Sequence, residues 1–115
     1  MIIQACLNGN RPIGYHPRLP TSPDLLAEDA LEAVRAGANE IHLHVRRPDG
    51  TETLAPDIVG ETLRKVRARV PGTLVGVSTG AWIENDPDKT LTCIGRWTEL
   101  PAYASVNLSE PGAPA

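Results

Sequence analysis

Apolar residues fall along this chain in short runs separated by stretches of helical period. The runs at 2–7, 40–45, 74–78 and 103–108 are each bounded by Gly, Pro, Asn or Asp and are short enough to be strands. Three helical patterns fill the gaps. The first follows Ser22-Pro23-Asp24, where a hydroxyl can cap the free amides and proline suits the first helical position; Leu26, Ala30, Ala33 and Val34 form its apolar stripe, and Gly37 ends it. The second begins at Pro56-Asp57, places Val59, Leu63, Val66 and Val70 on one face, and stops at Pro71-Gly72. The third opens with Asp86-Pro87, carries Leu91, Ile94 and Trp97 inward, and closes at Leu100-Pro101.

Strands joined through single helices run parallel, because each helix returns the chain to the same end of the sheet. Parallel strands are covered on both faces, and the runs 41–45 and 74–77 lack the alternation of a half-wet sheet, apart from two histidines. Strand starts recur about every 30 residues, which suits a barrel of roughly 250 residues for eight units. The predicted fold is therefore α/β: four parallel strands alternating with three helices, the N-terminal half of a (β/α)8 TIM barrel, with 1–115 as one partial barrel domain. The stretch 109–115 reads as a loop leading to a further helix, so the chain is expected to be a fragment of a longer product. A half-barrel that closes by dimerising is the alternative.

Composition narrows the partners. Eleven basic against fourteen acidic residues, for a net charge of -3, leave no positive field to attract nucleic acid or an anionic membrane surface. The basic run Arg64, Lys65, Arg67, Arg69 has helical spacing and reads as a solvated outer face. The first apolar run is too short for a signal-peptide core or a membrane span, so a cytoplasmic protein is expected. Cys6 and Cys93 lack CxxC spacing and read as buried small side chains rather than a disulfide or zinc knuckle.

The chemistry concentrates at strand ends. His42 and His44 stand at i and i+2, so both imidazoles leave one face of the second strand, about 7 Å apart along it. In a barrel that face is the interior, at the end where catalytic residues collect. Neutral imidazole ligates zinc; the other reading is two core histidines bonded to backbone or carboxylate. Ser78-Thr79-Gly80 ends the third strand and offers two hydroxyls with a close backbone approach, a cradle for a carboxylate or carbonyl oxygen or simply a strand-to-helix turn. Ser105 and Asn107 bring a hydroxyl and an amide to the interior of the fourth strand, or to the rim of the core. Arg46 follows the histidine pair and can hold an anionic substrate group or a carboxylate behind the metal; a surface ion pair is the alternative. A long loop runs from Asn8-Gly9-Asn10 through His16 to Pro20 and is expected to overhang the catalytic face. His16 receives no role.

Taken in order, His16-Pro17-Arg18-Leu19-Pro20-Thr21-Ser22-Pro23, Ala36-Gly37-Ala38, Ile41-His42-Leu43-His44-Val45-Arg46, Ser78-Thr79-Gly80 and Ala104-Ser105-Val106-Asn107 resemble the β-keto acid cleavage enzymes, typified by 3-keto-5-aminohexanoate cleavage enzyme. The resemblance implies a zinc-dependent (β/α)8 barrel that condenses a β-keto acid with acetyl-CoA, giving acetoacetate and a shortened acyl-CoA. It implies His42 and His44 as metal ligands, Ser78 and Ser105 at the substrate oxygens, Claisen-type chemistry with zinc as Lewis acid, and a homotetramer. It also places the third metal ligand, a Glu, and an Arg/Asp proton-transfer pair beyond Ala115, so the chain alone is expected to be inactive. Asn10 stands where the aminohexanoate enzyme has a Glu facing the substrate ammonium, which implies a neutral or differently charged keto acid. Ser105 replaces the family Thr and keeps the hydroxyl. Two other readings remain at this point: an amidohydrolase-type metal hydrolase, whose barrels also use HxH, and a half-barrel that binds metal without turnover.

Overall fold

A computed structural model describes residues 1–107 and Ser109. Its strands β1 (Gln4–Cys6), β2 (Glu40–Leu43), β3 (Leu74–Ser78) and β4 (Tyr103–Ser105) alternate with helices α1 (Pro23–Arg35) and α2 (Pro56–Arg69), and with a short α3 (Ala81–Glu84) followed by α4 (Pro87–Gly95). All neighbours pair in parallel in the order β1-β2-β3-β4. This sequential parallel order is that of part of a (β/α)8 barrel.

Local chemistry accounts for the helix starts. Ser22 Oγ accepts the Leu25 amide at 3.2 Å with Pro23 next in the chain, and the Asp86 carboxylate accepts the Asp88 amide at 2.9 Å with Pro87 behind it. Before α2, Ala55 provides no side-chain cap, so that helix relies on Pro56 and on packing. Leu26, Ala27 and Ala30 of α1 and Val59, Leu63 and Val66 of α2 meet Ile41, Leu43, Val75 and Val77 of the sheet in one buried cluster. Each fully buried aliphatic side chain there contributes about 1.5–3 kcal/mol. Val70, just past α2, joins the cluster, as the helical stripe predicts. The basic face of α2 is paired at its outer surface, Lys65 with Asp24 at 3.0 Å, Arg67 with Glu99 at 3.1 Å and Arg69 with Glu28 at 3.0 Å. No helix among the described residues is long and apolar enough to cross a membrane.

Several expectations are corrected. Leu91 is 65% exposed, because the inward stripe of α4 runs through Thr90, Cys93 and Ile94 toward Trp97, and Leu91 lies about 100° away from Thr90 around the axis. The helix ends at Gly95, well before Pro101: Trp97 turns inward and its Nε1 donates to the Leu54 carbonyl at 2.9 Å, which takes the chain off the helix axis. A one-turn helix, α3, precedes α4 and stops at Asn85, whose φ of 55° suits a short polar side chain. Cys6 is exposed, because it leaves the face of β1 opposite the helices, where Gln4 and Ser105 are also exposed. The fourth strand stops at Ser105, and Asn107 lies past it, where Oδ1 accepts the Ser109 amide at 3.1 Å and hydroxyl at 2.8 Å in a local turn. The expected continuation through Leu108 and the loop-to-helix reading of the tail at 110–115 lie outside the described residues.

Candidate functional site

The open face of the sheet carries its polar residues in rows. Register pairs Cys6 with His42, His42 with Gly76 and Gly76 with Tyr103, and one row on pairs Ser78 with Ser105. Tyr103 lies flat across this face. Its ring passes over Gly76, stacks on His42 with centroids 6.2 Å apart, and sends its hydroxyl to Ile41 O at 2.9 Å and Gln4 Nε2 at 2.8 Å.

His42 and His44 are brought together on that face, with ring centroids 5.5 Å apart and nearly perpendicular planes. His44 lies just past the last ladder residue of β2, yet its main chain is as firmly held as a strand. The buried Asn8 side chain copies a neighbouring peptide: Oδ1 accepts the His44 amide at 2.9 Å and Nδ2 donates to the His44 carbonyl at 2.8 Å and to Pro20 O at 3.2 Å. Burial lowers the His42 pKa, with a further push from His44, and so favours the neutral ring that carries a free lone pair.

Behind His44 stands a carboxylate. The segment after β2 turns at Pro48-Asp49-Gly50 and pairs Arg46 with Glu52 in an antiparallel bridge, which returns Glu52 to the histidine. Glu52 Oε1 meets His44 Nδ1, and its Oε2 accepts Trp82 Nε1 at 2.6 Å. Burial pushes the Glu52 carboxyl up, but the bonds from His44 and Trp82 outweigh it and the net shift is down. Arg46 is only 3% exposed and, among the described residues, makes no ion pair. It donates to Gly50 O at 2.9 Å and to Gly9 O and Arg11 O at 2.8 Å, tying the hairpin to the loop after β1.

Ser78 and Thr79 are buried at the turn out of β3. Thr79 Oγ1 donates to Ser105 O at 2.7 Å, while Ser78 Oγ accepts the Gly80 amide at 3.3 Å and, among the described residues, donates to no partner. Asn10 is exposed and borders an open cleft of about 400 Å³ that Glu52 and Trp82 also line. A cleft of about 1010 Å³ runs between the loop after β1 and α1, and neither His42 nor His44 lines it. His16 is exposed there and accepts the Arg18 amide at 3.0 Å.

Asn8, Glu52, Trp82 and Tyr103 are the residues that sequence reasoning left without a role. For Glu52 a signal existed: Pro48-Asp49-Gly50 marks a tight turn that reverses the chain just after the histidines. The donor set suits a borderline cation such as zinc in part, since two imidazoles face one region and Nε2 of His44 lies on the side away from the carboxylate. Among the described residues no group of three His, Cys, Asp or Glu side chains assembles to hold a metal ion.

Comparison with known proteins accords with this arrangement. The chain is 35% identical over 81 residues to the 3-keto-5-aminohexanoate cleavage enzyme of Fusobacterium nucleatum subsp. nucleatum, covering 70% of this chain and 30% of that protein. It is 35% identical over 80 residues to the 3-oxoadipate:acetyl-CoA acetyltransferase of Cupriavidus necator, covering 69% and 28%, and 37% identical over 65 residues to the 3,5-dioxohexanoate:acetyl-CoA acetone transferase of Paraburkholderia graminis, covering 56% and 21%. The chain thus spans less than a third of the length of each of these relatives. The family profile for beta-keto acid cleavage enzymes matches residues 1–112, a stretch that holds the paired histidines, the Ser78-Thr79-Gly80 turn and all four parallel strands, and the chain therefore belongs to the beta-keto acid cleavage enzyme family.

Proposed function

We propose that this chain is part of a metal-dependent (β/α)8 barrel enzyme that condenses a β-keto acid with acetyl-CoA, giving acetoacetate and an acyl-CoA. One observation carries the reading: His42 and His44 present their rings to one side of the sheet, 5.5 Å apart, where β2 ends. His42 and His44 would hold the cation, zinc by the chemistry of the donors. When bound, it supplies Lewis acidity toward a keto oxygen. The remaining work falls to the chain. The Ser78 hydroxyl, one row from His42 and donating to no partner among the described residues, would donate to a substrate oxygen, and Ser105 beside it presents an exposed hydroxyl to the same face. Asn10 offers an amide and no charge, which favours a keto acid without an ammonium group on its acyl chain.

The third ligand and the proton-transfer pair that the family resemblance implies would come from other strands of the barrel, so the described strands by themselves are proposed to bind in part and turn over nothing. The names of these relatives describe keto acid cleavage and transfer reactions that involve acetyl-CoA, and none of them describes hydrolysis. The test is metal content and acetoacetate release in the intact protein. His42→Ala and His44→Ala are expected to remove zinc and activity together while far-ultraviolet circular dichroism stays unchanged. Stoichiometric zinc in the double variant would overturn the reading.

A further inference from the structure

His44 is the member of the pair whose rear nitrogen is already occupied. Glu52 Oε1 lies against Nδ1, and the second carboxylate oxygen accepts Trp82 Nε1 at 2.6 Å. The indole also stacks along the imidazole, with centroids 6.3 Å apart and planes 23° from parallel. It reaches this position by folding back over Gly80, where an added Cβ would stand 2.2 Å from the ring. Trp82 is 48% exposed, so core packing does not hold it there; its polar handle and its stacking do. Three independent features thus converge on one ring: a carboxylate behind it, an indole that orients the carboxylate, and a glycine that leaves the indole room.

We propose that Glu52 and Trp82 are positioning residues for His44, holding its ring with the Nδ1 proton directed at the carboxylate and Nε2 presented toward the cation. The inference rests on the metal reading above. A neutral imidazole divides between two tautomers, and only the one protonated on Nδ1 can donate to Glu52 and ligate through Nε2. A carboxylate on the far nitrogen selects that tautomer, stops ring rotation and raises the basicity of the ligating atom. Arg46, from the same hairpin, contributes by locking the turn that delivers Glu52.

The experiment compares intact wild-type protein with Glu52→Ala, Trp82→Phe and His44→Ala. Histidine nitrogen chemical shifts of the metal-free protein report the tautomer of His44, and competition with a chelator reports zinc affinity. Expected are a single tautomer protonated on Nδ1 in the wild type, a mixture in Glu52→Ala, and zinc binding weakened about 10- to 100-fold in that variant. Trp82→Phe keeps an aromatic ring and loses the hydrogen bond, so it is expected to shift both readouts in the same direction by less, and it serves if Glu52→Ala does not fold. An unaltered tautomer and wild-type zinc affinity in the folded variants would overturn the positioning role while leaving the metal reading intact. Undiminished zinc in His44→Ala would instead sink the metal reading, and the tautomer measurement, which needs no metal, still decides the positioning.

Discussion

Gly76→Ala is a small change aimed at the packing of the candidate site. The position lies in β3 between His42 and Tyr103 in register, and an alanine Cβ there would stand 2.2–2.4 Å from three carbons of the Tyr103 ring. Carbon atoms need about 3.5 Å, so the ring must withdraw by more than about 1 Å. Withdrawal pulls the hydroxyl away from Ile41 O and Gln4 Nε2, now at 2.9 and 2.8 Å, and disturbs the stacking on His42. Each lost hydrogen bond costs about 0.5–1.5 kcal/mol, and the aromatic contact about as much. Opposing this, alanine in a strand recovers roughly 0.5–1 kcal/mol of backbone entropy. The net expectation is a destabilisation of about 1–3 kcal/mol, read as a lower urea midpoint at unchanged slope. A double-mutant cycle with Tyr103→Ala isolates the cause: with the ring gone, Gly76→Ala is expected to be neutral or mildly stabilising, a coupling of about 2 kcal/mol. Equal costs of Gly76→Ala in both backgrounds would refute the steric argument.

Two further outcomes are expected. Asn8→Ala leaves the His44 amide without its acceptor and the His44 and Pro20 carbonyls without their donor, at a cost of about 1–3 kcal/mol and with faster hydrogen exchange at His44; unchanged exchange there would show that the carboxamide is dispensable. The Glu84 side chain is almost fully buried, and burial would raise its carboxyl, but the Leu54 amide at 2.9 Å and Lys89 at 3.2 Å outweigh that and the net shift is down. A carboxyl held below its unfolded value adds stability that is complete above that value, near pH 4.5, and is lost as pH falls through the lower folded value. Denaturation between pH 6 and pH 3 is therefore expected to show a steeper loss in wild type than in Glu84→Gln, and parallel curves would contradict it.

The alternation of strands and helices was readable because each element carries its own local signal. Ser22-Pro23 and Asp86-Pro87 name the starts of α1 and α4, and the stripe Val59, Leu63, Val66 and Val70 names the buried side of α2. At Leu91 and at the end of α4 the local pattern does not decide, because Trp97 fixes the chain there through a bond to Leu54, a residue far away in sequence. The exposure of Cys6 follows from the open side of the sheet, which no pattern within a three-residue strand reveals.

The site divides along the same line. By itself the sequence determined that two imidazoles share one side of a strand, because the two-residue period is a property of any extended backbone. Only the tertiary structure decided what surrounds them: Asn8 against the His44 main chain, Glu52 behind its ring, Trp82 against that carboxylate, and Tyr103 across Gly76. Those contacts join segments separated by 8 to 36 residues for Asn8, Glu52 and Trp82, and their geometry depends on turn direction, strand register and the space left by two glycines. Local propensity carries none of these quantities, because each is set only when distant parts of the chain pack against one another.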